Sequence, residues 1–142
     1  MIASLTLLLG SIAMRDPLPP CDFDQPALLV ERMADLPPGA VAAFDAMFGD
    51  DRGTAEAGAY FESTDYIQTP APRRRFIRAY RIGETWIIWY ERGGIVLSEG
   101  MVALYPRSGD DGVVALQVMP GSLFGGDLCA SSKAYLAGAR SY

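Results

Sequence analysis

An uncharged apolar stretch opens the chain, apolar residues at helical spacing follow, and aliphatic and aromatic runs of strand character fill most of what remains. Within 24–36, Asp24 suits an N-cap, Pro26 a first helical turn, and Leu29, Met33 and Leu36 fall on one stripe. This predicts a helix that Pro37 and Pro38 end. A second, shorter helix is predicted over 39–49, with Val41, Phe44, Met47 and Phe48 as its apolar face and Gly49 as its C-cap. After a polar, glycine-bearing loop come five β-prone runs, at 59–69, 73–82, 85–92, 95–105 and 112–119. Gly83-Glu84 between the second and third suits a type II′ hairpin turn. Asp127 can cap a last helix over 128–137, which Gly138 ends.

Helix, helix, five strands, helix is the order of an α+β domain. Short connections favour a five-stranded antiparallel meander, with the two N-terminal helices and the short C-terminal helix packed mainly on one face.

The turn sets a register for the central hairpin. One face then carries Arg81 opposite Trp86, Ala79 opposite Ile88, Ile77 opposite Tyr90, and Arg75 opposite Arg92. The other carries Tyr80 opposite Ile87, Arg78 opposite Trp89, and Phe76 opposite Glu91. The aliphatic centre of the first face is the expected seat of the helices, with Leu29, Met33 and Leu36 over Ile77 and Ile88. Arg78, Trp89, Tyr80 and Phe76 are left facing outward as a candidate ligand-binding surface. A guanidinium over an exposed indole contributes about 0.5–1 kcal/mol. Two readings of that face stay open: arginines keeping a sheet face soluble, and a binding surface of the Arg-aromatic kind found in hot spots. The fourth strand conflicts with this picture. Alternation that puts Leu97 under the helices puts Glu99 there too and sends Val102 and Leu104 to the opposite side. A bulge over 98–100 would repair the phase; without it both faces need covering.

Charge and composition narrow the function. A net charge of −5 argues against a nucleic-acid partner, although six of the eleven arginines lie within 72–94 and could hold a small anion. The absence of histidine excludes Ser-His and Cys-His nucleophilic sites and imidazole-ligated metals. The carboxylates around Asp50-Asp51 and Asp110-Asp111 lack the alternating ligands of a calcium loop, so no metal and no cofactor are expected. Ser131, Ser132 and Lys133 lack the spacing of a Ser-Lys site and read as a solvated helix surface. The run Arg73-Arg74-Arg75 reads as a loop-strand junction kept soluble by charge.

Residues 1–13 resemble the apolar region and cleavage site of a secretory signal, cut after Ala13, which leaves 14–142 as a single domain. A buried N-terminal strand or helix is the alternative. The stretch is too short for a membrane span, which needs about 20 apolar residues. Export into the periplasm or the medium fits a disulfide between Cys21 and Cys129, the only two cysteines. The expected function is a small exported binding or interaction domain using the Arg-aromatic face, with a protein, a small anionic ligand or a second copy as partner. The alternative, from another class, is a histidine-free hydrolase acting on extracellular or cell-wall glycans through a carboxylate pair.

Overall fold

Among the residues that the computed structural model describes, 18–64 and 69–142, the chain forms seven strands and two helices. The strands are β1 (Leu28–Val30), β2 (Thr54–Ala55), β3 (Arg74–Ile82), β4 (Thr85–Arg92), β5 (Ser98–Ser108), β6 (Val114–Val118) and β7 (Phe124–Gly125). The helices are α1 (Ala40–Ala46) and α2 (Leu128–Leu136), with a 3-10 turn at Met33–Asp35. The α+β class is as expected. The presumed signal at 1–13 lies outside the described residues, as does the middle of the strand expected over 59–69. Its described part has no strand, only a bridge from Thr64 to Gly94.

The sheet runs β1-β3-β4-β5-β6, antiparallel throughout, with β2 added in parallel to β3 and β7 antiparallel to β5. Gly83 takes a φ of 60°, the left-handed value that its hairpin turn needs, and sets the expected register from Ile82↔Thr85 to Arg78↔Trp89. Beyond that the register is corrected. The ladder shifts between Phe76 and Arg78, so Phe76 faces Tyr90, Arg75 faces Glu91 and Arg74 faces Arg92. The extra residue, Ile77, moves Phe76 to the face opposite Arg78.

The helices do not share one face. Phe44 and Ala40 of α1 pack with Phe76, Ala79, Ile88, Tyr90, Val102 and Leu104. Leu128 and Tyr135 of α2 pack on the other side with Tyr80, Ile82, Ile87, Trp89 and Met101. β4 and β5 pair without a shift from Trp86↔Leu104 to Arg92↔Ser98, so no bulge forms over 98–100 and both faces are covered. Each fully buried aliphatic or aromatic side chain in these two layers contributes about 1.5–3 kcal/mol.

The first expected helix is also corrected. Residues 28–30 pair with Arg81, Tyr80 and Ala79 instead, closing the edge of β3 that would otherwise leave backbone groups unpaired. Leu29 is therefore exposed rather than in the core. The chain before β1 lies in the α2-side core through Cys21 and Phe23, while Val30 at the end of β1 and Met33 after it join the α1-side core. Glu56 caps the 3-10 turn, accepting from the N–H groups of Met33 at 2.6 Å and Ala34 at 3.0 Å.

Asp127 caps α2 as expected, its carboxylate accepting from Ala130 N at 3.0 Å. Cys21 and Cys129 form a disulfide across 108 residues with Cα atoms 5.3 Å apart. Loop-closure entropy gives such a bridge up to about 4–5 kcal/mol. No helix among the described residues is long and apolar enough to cross a membrane.

Candidate functional site

Arg78 and Trp89 meet as the register requires, the guanidinium carbon 5.6 Å from the indole centroid, and Tyr80 stacks edge-on to the same ring at 5.3 Å. None of the three faces solvent. Trp89 is 1% exposed, Tyr80 2% and Arg78 9%, and Phe76, at 2%, is on the opposite side of the sheet. The flat outward face expected from these four residues does not form, because α2 and the segment leading to Cys21 lie over it. Their polar atoms serve the core: Trp89 Nε1 donates to Ser132 Oγ at 2.9 Å, and Tyr80 Oη accepts from Cys21 N at 2.8 Å. Arg78 Nη2 donates to Leu18 O at 2.5 Å, while its Nη1 is buried without a hydrogen-bond partner. A cleft of about 260 Å³ remains beside Trp89, lined also by Leu18, Pro19, Glu99, Asp127 and Leu128.

The arginine run is structural as well. Arg74 is fully buried, donating to Asp50 at 2.6 Å and to Gly53 O at 2.9 Å, with its guanidinium 4.1 Å from the Phe48 centroid. Arg75 pairs with Glu91 and donates to Ala59 O at 2.9 Å. Arg73 Nη2 donates to Thr64 O at 3.1 Å. The expectation of a solvated junction fails here because these side chains hold down the loops between α1 and β3.

An accessible arginine-aromatic pair does exist, at the turn end of the same hairpin. Arg81 and Trp86 are cross-strand neighbours on the α1 side. With seven residues α1 spans about 10 Å, whereas the nine residues of β3 span about 30 Å. The helix stops short, leaving Trp86 half-exposed and Arg81 exposed. They line a cleft of about 390 Å³ with Pro37, Pro38, Glu84, Pro106 and the β6 residues Val114, Ala115 and Leu116. Arg81 Nε donates to Gly83 O at 3.1 Å. Tyr105 Oη donates to Glu84 at 2.9 Å, and that bond to a carboxylate pushes the phenol's pKa up. The sequence pairing of Arg81 with Trp86 was correct; its assignment to the covered face missed how little of the strand a short helix reaches.

The carboxylates with displaced acidity serve structure. The hydrogen bond from Arg74 holds Asp50 below the usual range. Burial raises Glu56, but the backbone N–H groups of Met33, Ala57 and Ala34 outweigh it and bring it below its ordinary value. No group of three or more Cys, Asp or Glu suited to a metal occurs among the described residues. No known protein family, curated protein or solved structure matches the chain.

Proposed function

We propose that the protein is a small exported binding or interaction domain that engages its partner through the Arg81–Trp86 cleft. The observation that carries this reading is the convergence of an accessible indole, three proline rings and an exposed guanidinium around one cavity. Tryptophan and arginine are the residues most enriched at binding hot spots, and rigid proline walls lose little entropy when a ligand docks. The chemistry suits a ligand with an apolar or aromatic group for the indole and a carboxylate or other anion for Arg81. The Cys21–Cys129 disulfide supports residence in an oxidising compartment, the periplasm or the medium.

The glycan hydrolase draws support from Glu99 and Asp127, which line the cleft beside Trp89. Asp127 is already engaged as the cap of α2, and a general acid needs a raised pKa, whereas the displaced carboxylates Asp50 and Glu56 are pushed down. The binding reading is therefore preferred.

The test compares wild type with the Arg81→Ala, Trp86→Ala double variant. The variant should stay folded with a moderately lower unfolding temperature, since Arg81 is exposed and Trp86 packs only in part against the α1-side core. Proteins and small anions captured by wild type from a native extract should be lost from the variant. Because Trp89 is buried and Trp86 is not, a captured ligand should also shift the wild-type tryptophan emission. A folded variant that retains the same set ends this reading.

A further inference from the structure

β6 closes the sheet on one side and has a partner on one edge alone. The ladder shows which of its backbone groups are spent. Met119 donates to Ala103 O at 2.9 Å and Gly109 donates to Val113 O at 2.9 Å, which sets the phase of the ladder: within β6 it is Ala115 and Gln117 whose backbone groups face β5. By antiparallel alternation, the N–H and C=O groups of Val114, Leu116 and Val118 point away from the sheet. Among the described residues no hydrogen bond outside the β5–β6 ladder uses them.

Native edges of this kind are guarded by proline, lysine, a bulge or an inward charge. β6 reads Val-Ala-Leu-Gln-Val, has none of these, and pairs with β5 without a register shift. Val114 is 64% exposed and its neighbour Val113 60%. On the α1 side the edge continues into an apolar trough formed by Ala43, Ala46, Met47, Leu116 and Val118.

We infer that β6 pairs with β6 of a second copy of this chain, antiparallel about a two-fold axis through Leu116. The argument for this occupant is self-complementarity. The outward-pointing residues are odd in number and centred on Leu116, so Leu116 meets its own copy and Val114 meets Val118, each exchanging the hydrogen bonds that the isolated edge leaves open. The strand is uncharged in a chain of net charge −5, so this edge brings two copies together without placing like charges opposite one another. The flanks are complementary: the two-fold brings the Asp110-Asp111 loop of each copy toward the Met119–Gly121 turn of the other, against which Arg140 packs. Val114, Ala115 and Leu116 line the Trp86 cleft as well, so the Arg81→Ala, Trp86→Ala variant serves to separate pairing of this edge from binding in the cleft.

The test is sedimentation of the full chain over a concentration series. Wild type should run as a dimer at high concentration, and the Arg81→Ala, Trp86→Ala variant should still do so. Val114→Pro removes an N–H that faces away from β5, so it should leave the fold intact and weaken association at least tenfold. Gln117→Pro, which removes an N–H that β5 uses, should instead lower the unfolding temperature. Leu116→Cys provides an independent reading: residues facing each other in a hydrogen-bonded antiparallel pair have Cα atoms about 5.5 Å apart, a separation that a disulfide spans, so air oxidation should link two copies. Val114→Cys, four residues out of register with itself, should stay unlinked. A wild type that is monomeric throughout, a dimer that survives Val114→Pro, or a Val114→Cys chain that links as readily as Leu116→Cys overturns the inference, and a monomeric edge open to a different partner's strand is then the remaining outcome.

Discussion

Gly100 lies opposite Tyr90 in the β4–β5 ladder, and the hydroxyl end of the Tyr90 ring occupies the space a side chain there would fill. A Cβ built on Gly100 would be 2.7 Å from both Tyr90 Cζ and Tyr90 Oη, so Gly100→Ala must displace the ring. The ring has nowhere easy to go: it is 5% exposed and packed edge-on against Phe44 at 5.1 Å and Phe48 at 5.4 Å. Overpacking of this kind costs about 1–3 kcal/mol, and each aromatic pair disturbed removes about 0.5–1.5 kcal/mol more. Alanine recovers only about 0.5–1 kcal/mol through the less flexible unfolded chain. The net expectation is a loss of about 2–3 kcal/mol in a denaturant titration. Gly125→Ala is the control, since its Cβ would meet Glu99 O at an ordinary 3.5 Å, and it should stay within about 1 kcal/mol of wild type. In a Tyr90→Ala background the cost of Gly100→Ala should vanish, a coupling of about 2 kcal/mol. Burial raises the Tyr90 pKa, so the ring displaced by Gly100→Ala should titrate closer to the ordinary phenol value. A Gly100→Ala protein within half a kcal/mol of wild type, with about that small a coupling, would refute the close approach of ring and glycine.

Acid should weaken the fold through Asp50 and Glu56. Both have folded-state pKa values below their unfolded ones, so their contribution is complete above the ordinary values of 3.8 and 4.5 and is lost as pH falls through the folded ones. Glu56→Gln should therefore lower the thermal midpoint at neutral pH, with the deficit shrinking as pH falls through the lowered folded-state value; a deficit independent of pH would contradict the capping role. The disulfide predicts that alkylation without reductant labels no cysteine, and that Cys21→Ala with Cys129→Ala lowers stability by up to about 4–5 kcal/mol. Free labelling of either thiol in the folded, unreduced protein would remove the bridge from the account.

The parts of the fold legible in the sequence are those set by local chemistry. Gly83 makes the hairpin turn, Asp127 caps α2, and the apolar face with Phe44 makes α1. What escaped is set by contacts distant along the chain. Residues 28–30 have helical spacing but become a strand because the β3 edge needs covering, and a single-residue bulge at Ile77 leaves no trace in an arginine- and apolar-rich run. One warning was visible: Leu97 and Glu99 against Val102 and Leu104 required either a bulge over 98–100 or cover on both faces. The second holds, and it buries the four residues first read as a ligand surface. The accessible pair, Arg81 with Trp86, was legible as a pair. Its exposure follows from the length of α1, which sequence pattern bounds only loosely.

The concentration of arginine in an acidic chain then has a mechanical explanation. Among its described residues, the segment between α1 and β3 carries two-residue β2 and little other regular structure, so their backbone carbonyls need donors from elsewhere. Arg73, Arg74 and Arg75 supply them, to Thr64, Gly53 and Ala59, from the first residues of the sheet's longest hairpin. Guanidinium groups suit the task because they deliver several fixed donors and still stack on Phe48 and Phe61. Lysine's ammonium also has three donors, but they sit on one point at the end of a flexible stem. It would lack the planar fork that here reaches a carbonyl and a carboxylate together, as Arg74 does with Gly53 and Asp50, and would lose the flat ring contact. Arg78 acts similarly toward Leu18 on the α2 side. Of the hairpin's arginines, Arg92 lies over the Phe48 ring, while Arg81 donates to the carbonyl of its own turn and faces an open cleft, where its positive charge meets a partner on the proposed reading.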